Sequence, residues 1–234
     1  MSYQSRLLLS FFVCLQALVF SACLSTQIMD NQDPDYSKLD PETERIARET
    51  ARTRQQLVDS ARSLVGSESL NVRGRQFRMD CTGAVLATYW GAGIDLAGAS
   101  AGYPGRNGVA KLYAFLLDSG FIVDGDYPLP GDLIFWDNTY DYNENGLPDD
   151  GLTHVGMVVT VASNGDIEYL HHNYRRGIVL EKMNLREPAT YSRIVNGQTV
   201  VVNSFMRARS APAYDRRLAG ELVNSLGQAY RSEF

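Results

Sequence analysis

The chain is poor in cysteine, histidine and tryptophan. Its 234 residues include three cysteines, three histidines and two tryptophans, and acidic side chains outnumber basic ones by 27 to 22. No basic footprint is present, which argues against a nucleic-acid partner. The apolar block LLLSFFVCLQALVF at residues 7–20 spans 14 residues, short of the about 20 that a membrane-crossing helix requires. No internal repeat or low-complexity tract interrupts the sequence.

The flanks of that block are informative. Arg6 precedes it and the small residues Ser21 and Ala22 come after, so residues 1–22 read as an export signal. The sequence F-S-A-C at 20–23 resembles the lipobox of bacterial lipoproteins. The resemblance implies lipid on Cys23, attachment to a membrane through that lipid, and, with Leu24 rather than aspartate next, the outer membrane with the protein facing the periplasm. The plainer reading is a secretory signal with a chance cysteine. Residues 23–40 are polar and turn-rich and suit a tether. Loss of residues 1–22 removes one arginine and leaves 21 basic against 27 acidic side chains, a net charge of −6. The roughly 210 residues that remain suit one domain with added elements.

With Cys14 in the signal and Cys23 lipidated, Cys81 stands alone. Exported proteins meet an oxidising compartment in which cysteines pair. An unpaired Cys81 is therefore either a buried inert thiol or a reactive one.

Local signals place the elements. Asp40-Pro41-Glu42 starts a helix that runs to Val65, with Ile46, Leu57, Ala61 and Leu64 on one face and Gly66 as its stop. Residues 67–78 read as a short strand or loop. A helix is expected over Cys81–Ala92 behind an Asp80 cap, and another over Gly108–Asp118. Then the period changes: residues 132–136, 154–161, 167–173, 177–183 and 199–205 read as strands. Asn164-Gly165 predicts a two-residue hairpin turn. Leu218, Leu222, Leu226 and Tyr230 form a stripe that predicts a closing helix within a helical extension over 207–234. Helices first and strands after argue for an α+β fold, with N-terminal helices packed on an antiparallel β-sheet.

Cys81 at a helix start meets unsatisfied N–H groups that favour a thiolate, and Asp80 opposes that shift, so a basic partner is needed. The candidates are His154, His171 and His172, all in the hairpin around Asn164-Gly165. A two-residue turn pairs position 171 with 158 and 173 with 156. His154, His171 and Asn173 then share one face and His172 takes the other. A flat ladder leaves His154 and His171 about 13 Å apart along the strand. Twist, a bulge or a shifted register must close that distance, and Asn173 stands as an alternative third residue.

Several segments together resemble the NlpC/P60 cysteine peptidases, a papain-like family related to the CHAP amidases. DCTG at 80–83 resembles their nucleophile motif DCSG, PGDLIFW at 130–136 their PGDLVFF strand, THVGMVV at 153–159 their SHVGIYL, and YLH at 169–171 their FIH segment. The likeness covers roughly residues 55–185, within a catalytic domain expected over 67–206 after the helix at 41–66. It implies a papain-like α+β core in which Cys81 is the nucleophile, His154 its general base and His171 the residue orienting His154. It also implies a cell-wall (peptidoglycan) peptide hydrolase acting on murein stem peptides, with no cofactor required. The upstream segment LNVRGRQFRM departs from the family's aromatic motif. Phe77 has no proton to donate, so the oxyanion donors stay unassigned.

Between the expected strands, Asp141-x-Asn143-x-Asn145-Gly146 and then Asp149 match the opening of a calcium loop, with Leu152 where an EF-hand carries glutamate. A structural Ca2+ held by Asp141, Asn143, Asn145 and Asp149 is one expectation, an ordinary solvated turn the other. The competing function is a catalytically silent envelope-binding or scaffolding lipoprotein with the same fold. Acyl or amide transfer on lipids would use the same dyad.

Overall fold

Asp40 caps the first helix, α1 (Pro41–Leu64): its Oδ1 accepts the Glu42 and Thr43 N–H groups at 3.2 and 3.1 Å, and Pro41 occupies the first turn. The structure is a computed structural model and describes residues 39–123, 127–207 and 216–231. The export signal, Cys23 and all of the tether except Leu39 and Asp40 lie outside the described residues. No helix among the described residues is long and apolar enough to cross a membrane.

Only the second half of α1 packs. Leu57, Val58, Ala61 and Leu64 are buried, whereas Ile46, expected on the same face, is 51% exposed. A tight hairpin comes next, β1 (Leu70–Val72) and β2 (Arg75–Phe77), turning on Arg73 and Gly74, both with positive φ. It leads into α2 (Cys81–Gly91), α3 (Leu96–Ser100) and α4 (Gly108–Asp118). The Ser60 hydroxyl of α1 donates to the Thr88 carbonyl at 2.8 Å, and the Tyr89 hydroxyl of α2 donates to Gly131 O at 2.8 Å. These bonds tie both helices to the entry of the sheet.

The main sheet has six strands, all antiparallel: β3 (Ile122–Val123), β4 (Leu133–Trp136), β5 (His154–Val161), β6 (Asp166–Asn173), β7 (Gly177–Asn184) and β10 (Val223–Gly227), in the order β3-β10-β4-β5-β6-β7. A separate hairpin, β8 (Ser192–Val195) and β9 (Gln198–Val201), turns on Asn196-Gly197. The expected α+β class with an antiparallel sheet is observed.

Both sheet faces are buried. Leu133, Phe135, Val155, Met157, Val159 and Leu170 meet the helices, while Ile134, Trp136, Val158, Tyr169 and Met183 meet Ala219, Leu222 and Met206. This two-sided cover explains why all four residues of β4 are buried.

Three expectations are corrected. The stripe at Leu218, Leu222, Leu226 and Tyr230 is not an α-helix: residues 220–222 and 229–231 are single 3-10 turns around β10. Val223, Asn224, Ser225 and Gly227 are poor helix formers, and the strand supplies partners to the backbones of β3 and β4. Positions 199–205 do not form one strand of the sheet. β9 ends at Val201, and Phe205 makes only an isolated bridge to Leu218.

The third correction concerns register. The β5–β6 turn is not a two-residue turn: Gly165 N–H donates to Ala162 O at 2.9 Å and Ala162 N–H to Asp166 O at 2.8 Å, with Gly165 at φ 87°. That is a three-residue loop closed by a left-handed glycine. The ladder slips again between Val158 and Thr160, so Val158 pairs with Tyr169 and Met157 with Leu170. Each irregularity moves the register by one residue, and together they preserve parity while bringing His171 level with Gly156 instead of Val158.

Beyond Asn184 the outer edge of β7 is occupied. Ser204 N–H donates to Lys182 O, Lys182 N–H to Ser204 Oγ and Asn184 N–H to Asn203 Oδ1, while Gly66 N–H donates to Ile178 O.

At Gly156 a Cβ would lie 2.7 Å from Leu170 O and 3.0 Å from the Trp136 ring. Gly156→Ala is expected to lower unfolding stability by about 1–3 kcal/mol, read from the urea midpoint at unchanged slope.

Candidate functional site

The start of α2 is shaped by its neighbours. Asp80 caps the helix, its Oδ1 accepting Gly83 N–H at 2.7 Å, and Arg78 pairs with the other carboxylate oxygen. A Cβ on Gly83 would fall on the Arg78 carbonyl, so glycine at this position lets the chain fold tightly beneath the cysteine. Cys81 is unpaired and partly buried. Val155 and Thr82 lie beside its sulfur and favour the thiolate electrostatically.

Cys81 and His154 line one cleft of about 650 Å³, together with Thr82, Thr139, Tyr140 and His172. His154 opens β5 and packs beside the buried Trp136 ring, whose Nε1 donates to Ala219 O at 2.8 Å. Its Nε2 lies 2.9 Å from Nδ1 of His171, with the two rings at 76°. The register shift brings these rings together. His171 is 2% exposed. With Nε2 of His154 engaged, Nδ1 is the ring nitrogen left to act as a base.

Asn173 does not reach His154. Its Oδ1 accepts the Arg175 and Arg176 N–H groups and its Nδ2 donates to Glu181 Oε1 at 3.1 Å. His172 lies on the helix-facing side, as parity requires, and lines the cleft with Cys81.

Burial dominates the electrostatics. It pushes the Cys81 thiol up, with Asp80 adding to the shift, against the lowering by Val155 and Thr82. Burial, then His171 and His172, hold His154 well below the ordinary imidazole value. His171 is pushed down to about 3 by burial and then by Arg176. The resting pair is therefore a neutral thiol and a neutral imidazole. The Tyr140 phenol in the same cleft is pushed up, first by burial and then by Cys81.

The 137–153 insertion is pinned at its base. Asn138 N–H donates to Asp150 O, Asp150 N–H to Asn138 Oδ1 and Leu152 N–H to Asp137 Oδ1, while Thr139 Oγ1 and Thr153 Oγ1 meet at 2.9 Å. Within it, Gly146 N–H donates to Asp141 Oδ2 at 2.8 Å, and the amides of Asn143 and Asn145 donate to Asp149. Asp141 Oδ1 is shielded from solvent with no hydrogen-bond partner. Among the described residues no group of three acidic, histidine or cysteine side chains forms a metal cluster.

Several residues around the site were not singled out from sequence. Thr82 and Val155 serve the sulfur, and Tyr169, Arg176 and Glu181 surround His171. Glu181 had a readable signal, as an acid at the inward parity of a strand between Val179 and Met183. Comparison of the chain with protein-family models, curated proteins and solved structures finds no match in any of the three.

A neutral resting thiol has a kinetic signature. Alkylation of Cys81 by iodoacetamide, with mass spectrometry of its peptide, is expected to accelerate about tenfold per pH unit from pH 6 to 8, because only the thiolate reacts. A plateau across that range would instead indicate a stable thiolate–imidazolium pair.

Proposed function

We propose that this chain is a cysteine hydrolase of murein stem peptides with a papain-like NlpC/P60 core, carried to the outer membrane by lipid on Cys23. The observation that carries the reading is that Cys81 and His154 share one cleft while His171 holds the far nitrogen of His154 at 2.9 Å. The motifs DCTG, PGDLIFW, THVGMVV and YLH, in that order along the chain, support it from sequence.

The chemistry starts from a neutral pair. As Sγ attacks the peptide carbonyl, the thiol proton passes to Nδ1 of His154, and the S–C bond forms. The imidazolium then protonates the leaving amine as the C–N bond breaks. Water enters, gives its proton to Nδ1 and its oxygen to the acyl carbon, and the S–C bond breaks to restore the thiol. Val155 and Thr82, which favour the thiolate, lower the cost of its transient charge.

A second reading, a catalytically silent envelope-binding lipoprotein, is favoured by the direction in which burial moves Cys81 and His154, both toward their uncharged forms. Mass spectrometry of muropeptides decides between them. Purified sacculi incubated with the protein should release shortened stem peptides, Cys81→Ala should abolish release, and His154→Ala should reduce it by at least about 10³-fold. Sacculi left intact by the wild type would establish the silent reading.

For the insertion we propose a structural Ca2+ near Asp141, Asn143, Asn145 and Asp149, supported by the unpartnered Asp141 Oδ1. Titration calorimetry with millimolar calcium should give heat with the wild type and none with Asp141→Asn. Absence of heat with the wild type removes the ion from the account.

A further inference from the structure

We infer that Glu181 is a positioning residue that sets the direction of the proton chain from Cys81 through His154 and His171. Its use in catalysis rests on the hydrolase reading above, whereas the proton arrangement itself does not.

Glu181 lies on β7 level with Tyr169 of β6, and it is 4% exposed. Its Oε1 accepts from Asn173 Nδ2 and pairs with the Arg176 guanidinium. Its Oε2 accepts from the Tyr169 hydroxyl at 3.3 Å and stands 3.5 Å from Nε2 of His171. Two donors and a cation thus converge on a buried carboxylate, the arrangement that keeps a buried acid ionised. At 3.5 Å the contact with His171 is an electrostatic approach and falls short of a hydrogen bond. Nε2 is buried and has no hydrogen-bond partner among the described residues, so the Glu181 carboxylate is the anion it faces.

His171 is neutral and carries one ring proton, so two arrangements compete. With the proton on Nε2, His171 holds an N–H beside the carboxylate, an attractive charge–dipole approach, and offers the Nδ1 lone pair to His154. His154 must then donate from Nε2, which leaves its own Nδ1 bare and able to accept the thiol proton. With the proton on Nδ1 of His171, an Nε2 lone pair faces an anionic oxygen in a low-dielectric interior, which is repulsive. In that arrangement His154 accepts at Nε2, carries its proton on Nδ1, and has no lone pair for the thiol. Glu181 therefore selects the first arrangement through two rings. Among the described residues, the other charged or titratable groups in contact with this chain of rings are Arg176, held on Glu181, Tyr169, whose hydroxyl also meets Met206 Sδ at 3.3 Å, and His172, which acts on His154 through space. None of these supplies a competing acceptor for Nε2.

The test uses the full chain labelled with 15N-histidine, whose three imidazoles are separable by NMR. At pH 7 the wild type should show His171 and His154 both protonated on Nε2 and bare on Nδ1. Glu181→Gln, whose side-chain amide can face a lone pair, should move His171 toward the Nδ1-protonated form. Glu181→Asp, which keeps the carboxylate, should restore the wild-type pattern. In the muropeptide assay Glu181→Gln should lower kcat about 10²-fold at unchanged KM, less than the about 10⁴ lost when a carboxylate touching the base itself is neutralised. The wild-type spectrum decides even if Glu181→Gln fails to fold. A wild-type His171 protonated on Nδ1, or a folded Glu181→Gln with unaltered spectra and kcat, overturns the inference. Expected spectra from a wild type that releases no peptide would remove the hydrolase reading and leave this one standing.

Discussion

The meeting of two imidazoles depends on the register of one strand pair. His154 and His171 sit 17 positions apart in the chain and would be four residues out of step in a regular two-residue hairpin. The left-handed Gly165 and the slip between Val158 and Thr160 each move β6 by one position. Either one alone would turn His171 to the opposite face, because side chains alternate with every residue. Acting together they keep the face and shorten the gap, so the contact is a property of the whole hairpin. Gly156 completes it, since Leu170 O and the Trp136 ring leave no room for a side chain there.

The same packing governs the electrostatics. A sheet covered on both faces offers its inward polar groups little water, and burial holds an imidazole in that position toward its uncharged form. Asp80, the anion nearest the sulfur in sequence, caps a helix and pairs with Arg78. Neither Cys81 nor His154 therefore has a fixed counter-charge that would favour its ionised form at rest.

Local features were legible in the sequence. Asp40, Pro41 and Asp80 mark helix starts through bonds made within three residues, and the helix over Gly108–Asp118 comes from periodicity alone. The Cys81 and His154 candidates emerged because so few residues of their kinds exist in the chain. Long-range choices were not legible. The sequence Val158-Val159-Thr160-Val161 carries no mark of a bulge, and nothing local says that 223–227 would be drawn into the sheet between β3 and β4. Asn196-Gly197 is as plain a hairpin signal as Asn164-Gly165, but reading 199–205 as a single strand hides it. The network on Glu181 is invisible until register brings Tyr169, Asn173 and Arg176 around it.

The occupied rim of β7 has a consequence for how anything extended can approach. An outer strand normally offers a template on which a peptide or a second copy can add itself. Here Ile178, Lys182 and Asn184 already have partners from the same chain, and the three residues between 178 and 182 are too few to seat a guest strand. An extended peptide thus has no berth along that border.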